Sequence, residues 1–202
     1  MDKLLTNKVE KLINITKAKY LSSKMIYSGN FIALIEEKYL LPNSIIMKRE
    51  KIIKNKNKQA VIIVAVTDEN KYILVSQNRI NNMTTLEFPS GYIEKNESVK
   101  DASIRELLEE TGYISNNIEF IDNYYAQIGI DSSIINIVIA YNCKRTKQQN
   151  LGKYEYINFD EFTFEELKSL IESNYIKSVG NKLAFYELLN KNIGRIWFLL
   201  LK

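Results

Sequence analysis

Three carboxylates, Glu106, Glu109 and Glu110, fall within five positions of the segment RELLEETG, which runs from Arg105 to Gly112. On a helix the spacing i, i+3, i+4 puts all three on one side. Like charges so placed repel by roughly 0.2–0.5 kcal/mol per pair in water. Close to a helix C-terminus they also oppose the macrodipole, which favours cations there. Two chemistries accommodate the arrangement. Either the face is solvated and the repulsion is tolerated, or it binds a hard divalent cation such as Mg²⁺ or Mn²⁺, which removes the repulsion and keeps open positions for phosphate oxygens and water. Arg105, four residues before Glu109, can hold that carboxylate in orientation.

Composition narrows the chemistry further. The 202 residues include no histidine and one cysteine, Cys143. This excludes a histidine-based triad, the usual zinc sites and an intramolecular disulfide. Carboxylates, Lys, Arg, Tyr or a hard metal must do the work. With 46% hydrophobic and 26% charged residues, the chain can form one folded domain with a small appendage. Its net charge of +4 is mild, and the densest basic cluster, MKREKIIKNKNK from Met47, reads as solvated surface rather than a nucleic-acid patch. The first twenty residues carry charges throughout, so they do not read as a signal peptide. No apolar run approaches the roughly 20 residues that a bilayer span needs; the longest are AVIIVAV from Ala60 and IWFLLL from Ile196. A cytoplasmic protein without a membrane partner is expected.

The elements that must position the carboxylates follow from pattern. Ser98 with Asp101 three residues on is a capping-box-like start, and Gly112 suits a left-handed stop, so a helix is expected over Val99 to Thr111 with Val99, Ala102, Leu107 and Leu108 toward the core. The continuously apolar AVIIVAV reads as a strand covered on both faces, paired through DENK with YILVSQ. IEFIDNYYAQIGI, IINIVIAYNCK and YEYINF are further strands, and two helices follow them. Ahead of this lie an amphipathic helix within residues 1–22, whose apolar positions predict packing, and a small three-stranded antiparallel sheet in 23–58. Residues 59–202 then form an α/β sandwich with a mixed sheet.

The whole register, Gly91, Glu97, then Arg105 to Tyr113, resembles the Nudix box, the signature of the Nudix hydrolases, at every charged and glycine position. Tyr113 stands where that family prefers an aliphatic residue. The resemblance implies an α/β/α sandwich and metal-dependent hydrolysis of a nucleoside diphosphate linked to another moiety. Carried over by position, Glu106, Glu109 and Glu110 ligate Mg²⁺ or Mn²⁺ together with the backbone carbonyl of Ser90. Gly91 allows the turn that brings Ser90 there, and Glu97 pairs with Arg105 to hold loop against helix. Pyrophosphate is anionic and resists attack, so its catalyst must neutralise charge and supply hydroxide near neutral pH, which carboxylates with a metal can do without histidine.

VSQNRI followed by LEFPSGYIE resembles the ADP-ribose pyrophosphatase branch of that family. On this resemblance Arg79 binds phosphate, with a salt bridge to Glu87 as its plain alternative. Arg49 and Glu50 lie near the nucleotide, Phe31 is a base-stacking candidate or an ordinary strand residue, and the small sheet forms a homodimer. Two departures stand out: Ile128 replaces a proline in QIGIDSSI, and Lys153 replaces the first of two acids in NLGKYEYI. Glu155 is then the late carboxylate near the metals, with Asp131 and Glu97 as alternatives for the water-activating base. The expected reaction is conversion of ADP-ribose to AMP and ribose 5-phosphate. GDP-mannose or another nucleotide sugar is the alternative substrate, and a non-catalytic nucleotide-sensing regulator the alternative from another class.

Overall fold

The run Ala60 to Val66 explains the layering. In the computed structural model, which describes residues 2–200, it lies in a strand, Ala60–Thr67, whose side chains from Val61 onward are all buried. Successive side chains of a strand point to opposite faces. Val61, Ile63 and Ala65 pack with Ala102, Leu107 and Tyr113, while Ile62, Val64 and Val66 pack with Leu167, Ile171, Phe185 and Leu188. A strand covered on both sides must sit inside a three-layer sandwich. The side chains of Ile80 and of residues 192–200 lie outside the described residues, and with them those of the terminal apolar run from Ile196.

The elements in chain order are α1 (Lys3–Thr16), β1 (Lys19–Ser28), β2 (Ile32–Leu40), β3 (Ile46–Lys54), β4 (Ala60–Thr67), β5 (Tyr72–Arg79), β6 (Met83–Glu87), β7 (Ser90–Tyr92), α2 (Val99–Thr111), β8 (Tyr113–Ile114), β9 (Asn117–Tyr125), β10 (Ile134–Arg145), β11 (Ile157–Phe162), α3 (Phe164–Glu172) and α4 (Val179–Leu200). The main sheet runs β11-β5-β4-β10-β8, with β6 added to β5, β7 to β4 and β9 to β10. Only the β4–β10 pairing is parallel; the others are antiparallel, which makes the sheet mixed. Helix α2 covers one face, and α3 and α4 cover the other.

Two units emerge from the chain's contacts. Residues 58–126 and 134–202 form the sandwich, and residues 1–57 with 127–133 form the other unit. In the latter, β1, β2 and β3 make the expected three-stranded antiparallel sheet. The segment 127–133 joins it through a parallel bridge between Ile52 and Asp131, and Lys54 Nζ lies 2.6 Å from the buried Asp131 carboxylate. That excursion lies inside the stretch 59–202 that sequence alone assigns whole to the sandwich. Helix α1 ends at Thr16, where Lys17 turns to extended backbone, and β1 begins by Lys19, earlier than the boundary at 22. None of the described residues of α1 is buried, and Leu4, Leu12 and Ile13 are more than half exposed, so the packing expected of its apolar face is not made within this chain. Among the described residues no helix is long and apolar enough to cross a membrane.

One buried polar contact ties α4 to the strand segment that leads into the site. Asn181 Oδ1 accepts the backbone N–H of fully buried Phe88 at 2.7 Å. Asn181→Ala leaves that N–H without an acceptor, and a buried orphan donor costs about 1–3 kcal/mol. Urea unfolding of this variant should show a lowered midpoint with an unchanged slope.

Candidate active site

Helix α2 has the bounds its caps predict. Ser98 Oγ accepts the Asp101 N–H at 3.1 Å, and Gly112, at φ +76°, closes the helix by donating its N–H to Leu108 O at 2.8 Å. Glycine is required twice over at 112, because a Cβ there would also lie 2.1 Å from the carbonyl oxygen of Lys147.

The three glutamates do not share one exposed side, as the spacing alone predicts. Glu110 is buried, and its Oε2 accepts the backbone N–H of Ser90 at 3.0 Å. Burial pushes its carboxyl up to about 8; the Ser90 N–H opposes this, and the charges of Glu106 and Glu155 add to it. The Glu106 side chain is 14% exposed and is likewise pushed upward, first by burial, against the pull of Arg105. Glu109 is the most open of the three, at 37%. The reason is the pitch of the helix: turning Ala102 and Leu107 into the core carries Glu110 to the edge of the sheet beside β7.

Arg105 orders the cluster. Its Nε and Nη2 grip both oxygens of Glu97 at 2.8 Å each, and Nη2 also donates to Tyr92 O at 2.9 Å. Its Nη1 donates to Glu106 Oε1 at 2.7 Å and to Glu109 Oε2 at 3.2 Å. Glu97 in turn is held below the usual carboxylate range, chiefly by its bonds from Arg105. The loop before α2, strand β7 and two turns of the helix therefore meet at one guanidinium.

Gly91 serves a purpose different from the expected turn. Gly112 is the described glycine with positive φ, and Gly91 sits in β7 paired with Val61. A Cβ on Gly91 would lie 1.9 Å from the carboxyl carbon of Glu106, so the glycine provides room for that carboxylate against the strand. Ser90 contributes its N–H to Glu110 in this arrangement.

Arg79 makes the pairing named as its plain alternative. Its Nε and Nη2 donate to Glu87 Oε1 at 3.0 Å and Oε2 at 2.6 Å, and Thr85 Oγ1 donates to the same carboxylate at 2.5 Å. Burial raises the Glu87 carboxyl, but these donors outweigh it and hold the group below its ordinary value. Arg79 still stands near enough to Glu110 to favour its charged form. Glu155 closes its own turn, accepting the Gly152 N–H at 2.7 Å, while its charge acts on Glu106 and Glu110. Asp131, an alternative base, is instead committed to Lys54 in the other unit. Arg49 and Glu50 lie exposed on β3 opposite Glu37 and Glu36, and Ile128 is exposed. Sequence reasoning missed Gln149, whose Nε2 donates to Glu110 O at 2.5 Å and to Ile157 O at 3.0 Å. A glutamine in a polar loop carries no signal that could have identified it.

The donor set is all hard oxygen, which suits Mg²⁺ or Mn²⁺. Glu106 raises the Glu110 carboxyl, the mutual repulsion that a cation would relieve. Among the described residues no three acidic side chains converge closely enough to ligate one ion, because Glu106 and Glu109 lean on Arg105, Glu110 on Ser90 and Glu155 on Gly152. Were a cation bound here, Glu106 and Glu110 would hold it, with Glu109 and Glu155 joining by releasing one hydrogen bond each. A bound divalent cation supplies charge neutralisation and a water of lowered pKa. The chain itself supplies orientation through Arg105 and a partly buried, low-dielectric wall. Gly91→Ala should displace the Glu106 carboxylate, weakening Mn²⁺ affinity by about 10- to 100-fold, as loss of a ligand's support does. Calorimetric titration, with circular dichroism to establish an intact fold, measures it.

Comparison with known proteins identifies the family. The NUDIX domain model matches residues 56–179. The chain is 34% identical over 172 residues to an ADP-ribose pyrophosphatase of Bacillus subtilis (strain 168), covering 84% of this chain and 91% of that protein. It is 30% identical over 160 residues to a methanol dehydrogenase activator of Bacillus methanolicus, covering 78% and 85% respectively. The crystal structure of an ADP compounds hydrolase shares the fold at a TM-score of 0.80 and 22% identity, over 90% of this chain and 97% of that one. The matched span contains the Arg105 cluster, β4 and the sheet around it, and the chain belongs to the Nudix hydrolase family.

Proposed function

We propose that the chain hydrolyses the pyrophosphate bond of a nucleoside diphosphate joined to a sugar, with ADP-ribose as substrate and AMP and ribose 5-phosphate as products. The reading rests on one observation above all: a buried carboxylate, Glu110, held beside a second, Glu106, at a cluster that Arg105 locks in place. A divalent cation relieves the repulsion in such a cluster, and a cation is what an anionic pyrophosphate needs beside it. The choice of ADP-ribose comes from the name of the Bacillus subtilis relative.

In this reading Glu106, Glu109, Glu110 and the Ser90 carbonyl hold Mg²⁺ or Mn²⁺, and Arg105 with Glu97 keeps them in register. Glu155 leaves its turn to take the proton of the attacking water. Water oxygen bonds to one phosphorus as the bridging P–O bond breaks, and Arg79 steadies the diphosphate beside Glu110. Arg49 and Glu50 are carried as nucleotide contacts by resemblance alone. Purified protein with Mg²⁺ should convert ADP-ribose, with products read by mass. Glu110→Gln and chelation of the metal should each reduce turnover to background. Unchanged turnover in Glu110→Gln would sink the assignment. Preference for GDP-mannose over ADP-ribose would change only the substrate.

A second reading is favoured by the Bacillus methanolicus relative, whose name assigns it activation of another enzyme. Here the domain binds a nucleotide and acts on a partner protein, and nucleotide hydrolysis by the isolated chain overturns it as the sole role.

The three-stranded sheet supports a homodimer in the proposed function. Tyr20, Met25, Ile26, Tyr27 and Ile46 on its strands are each about half exposed or more, apolar side chains that a second copy of the sheet would cover. Sedimentation should give twice the chain mass, and Met25→Glu with Tyr27→Glu should shift it to the monomer.

A further inference from the structure

Between β10 and β11 the chain makes an excursion whose ends are anchored to the catalytic helix. Asn150 donates its N–H to Glu109 O at 2.9 Å, and Gln149 bridges the carbonyls of Glu110 and Ile157. Within it, Glu155 N–H donates to Gly152 O at 3.0 Å, which makes Gly152 to Glu155 a tight turn with Lys153 and Tyr154 at its corner. Tyr154 is 92% exposed and Tyr156 84%, more than any other large apolar or aromatic side chain described. Lys153 Nζ stands 5.4 Å from the centre of the Tyr154 ring, so a cation and a ring are presented together. Neither tyrosine hydroxyl has a hydrogen-bond partner among the described residues.

Nothing in the fold needs these rings, since neither belongs to a packed cluster. Tyrosine is amphipathic, with a large apolar face and a polar tip, and is favoured where a ligand must be both covered and hydrogen-bonded. A sugar ring has matching chemistry: C–H groups on its face and hydroxyls at its rim. The bonds from Asn150 N–H to Glu109 O and from Gln149 Nε2 to Glu110 O start this excursion at the two glutamates, and Glu155 lies between the two tyrosines within it. We propose that Tyr154 and Tyr156 form the subsite for the sugar moiety of the substrate, their rings covering its C–H face and their hydroxyls bonding its rim, with Lys153 donating to the adjoining phosphate oxygens. This rests on the nucleotide-sugar reading above.

Steady-state kinetics with Mg²⁺ separates the possibilities. The wild type, Tyr154→Ala, Tyr156→Ala and the two Phe variants are assayed with ADP-ribose. A competitor, ADP esterified to an acyclic alcohol, keeps both phosphates and lacks the sugar ring. The Ala variants should raise KM for ADP-ribose by about five- to tenfold, the size of one aromatic contact, with kcat within about twofold. The Phe variants should recover part of the loss, and the inhibition constant of the acyclic ester should not move. An equal loss for both ligands, or none for either, overturns the subsite while leaving the hydrolase reading intact. A wild type that cleaves no nucleotide sugar overturns that reading, and the subsite with it.

Discussion

Every N–H donor of Arg105 is used within the protein. A guanidinium has five, in a fixed planar fork, and here they meet Glu97 twice, Tyr92 O, Glu106 and Glu109. Because the fork is rigid, fixing any two partners restricts the other three. The loop before the helix, the short strand beside it and the glutamate-bearing face of the helix thus cannot adjust independently. Glu97 is the anchor, since both of its oxygens are gripped at 2.8 Å, and the bonds to Glu106 and Glu109 share one remaining nitrogen. That asymmetry suits the proposed chemistry: the carboxylates that would meet a cation are held less completely than the one that serves as a brace.

Burial provides the second half of the design. Glu110 sits where an uncompensated charge is unfavourable, with one backbone N–H to offset it. The surrounding side chains are close enough that Gly91 can be nothing larger. A partly buried carboxylate cluster of this kind differs from an acidic patch in water, where repulsion is screened and selection for a ligand is weak. The sheet makes such burial achievable: β4 and β10 supply apolar side chains to both layers, so α2 lies on a rigid support and not on a loop.

Much of this was legible in the residues. Ser98 and Gly112 fixed both ends of α2 because capping is local chemistry, and the unbroken apolar run of β4 announced a strand covered on both faces. The Nudix register identified the carboxylates and the Glu97–Arg105 partnership. What escaped depends on contacts distant in sequence. The return of residues 127–133 to the small sheet, and the commitment of Asp131 to Lys54, follow from pairing across nearly eighty positions. The space that Gly91 leaves for Glu106 cannot be told from a turn requirement without coordinates. Helical spacing located the three glutamates together but did not tell which one would be driven inward.

Gln149 has a consequence for how such an enzyme diversifies. One side-chain amide fastens the carbonyl of Glu110 to the start of the next strand, so the seven residues from Asn150 to Tyr156 leave and rejoin the scaffold at fixed points. Changes of sequence between those points need not propagate into the helix or the sheet. On the proposed function, the loop is an exchangeable cassette, and descendants of this chain could acquire new leaving groups by rewriting it while inheriting the same phosphorus chemistry.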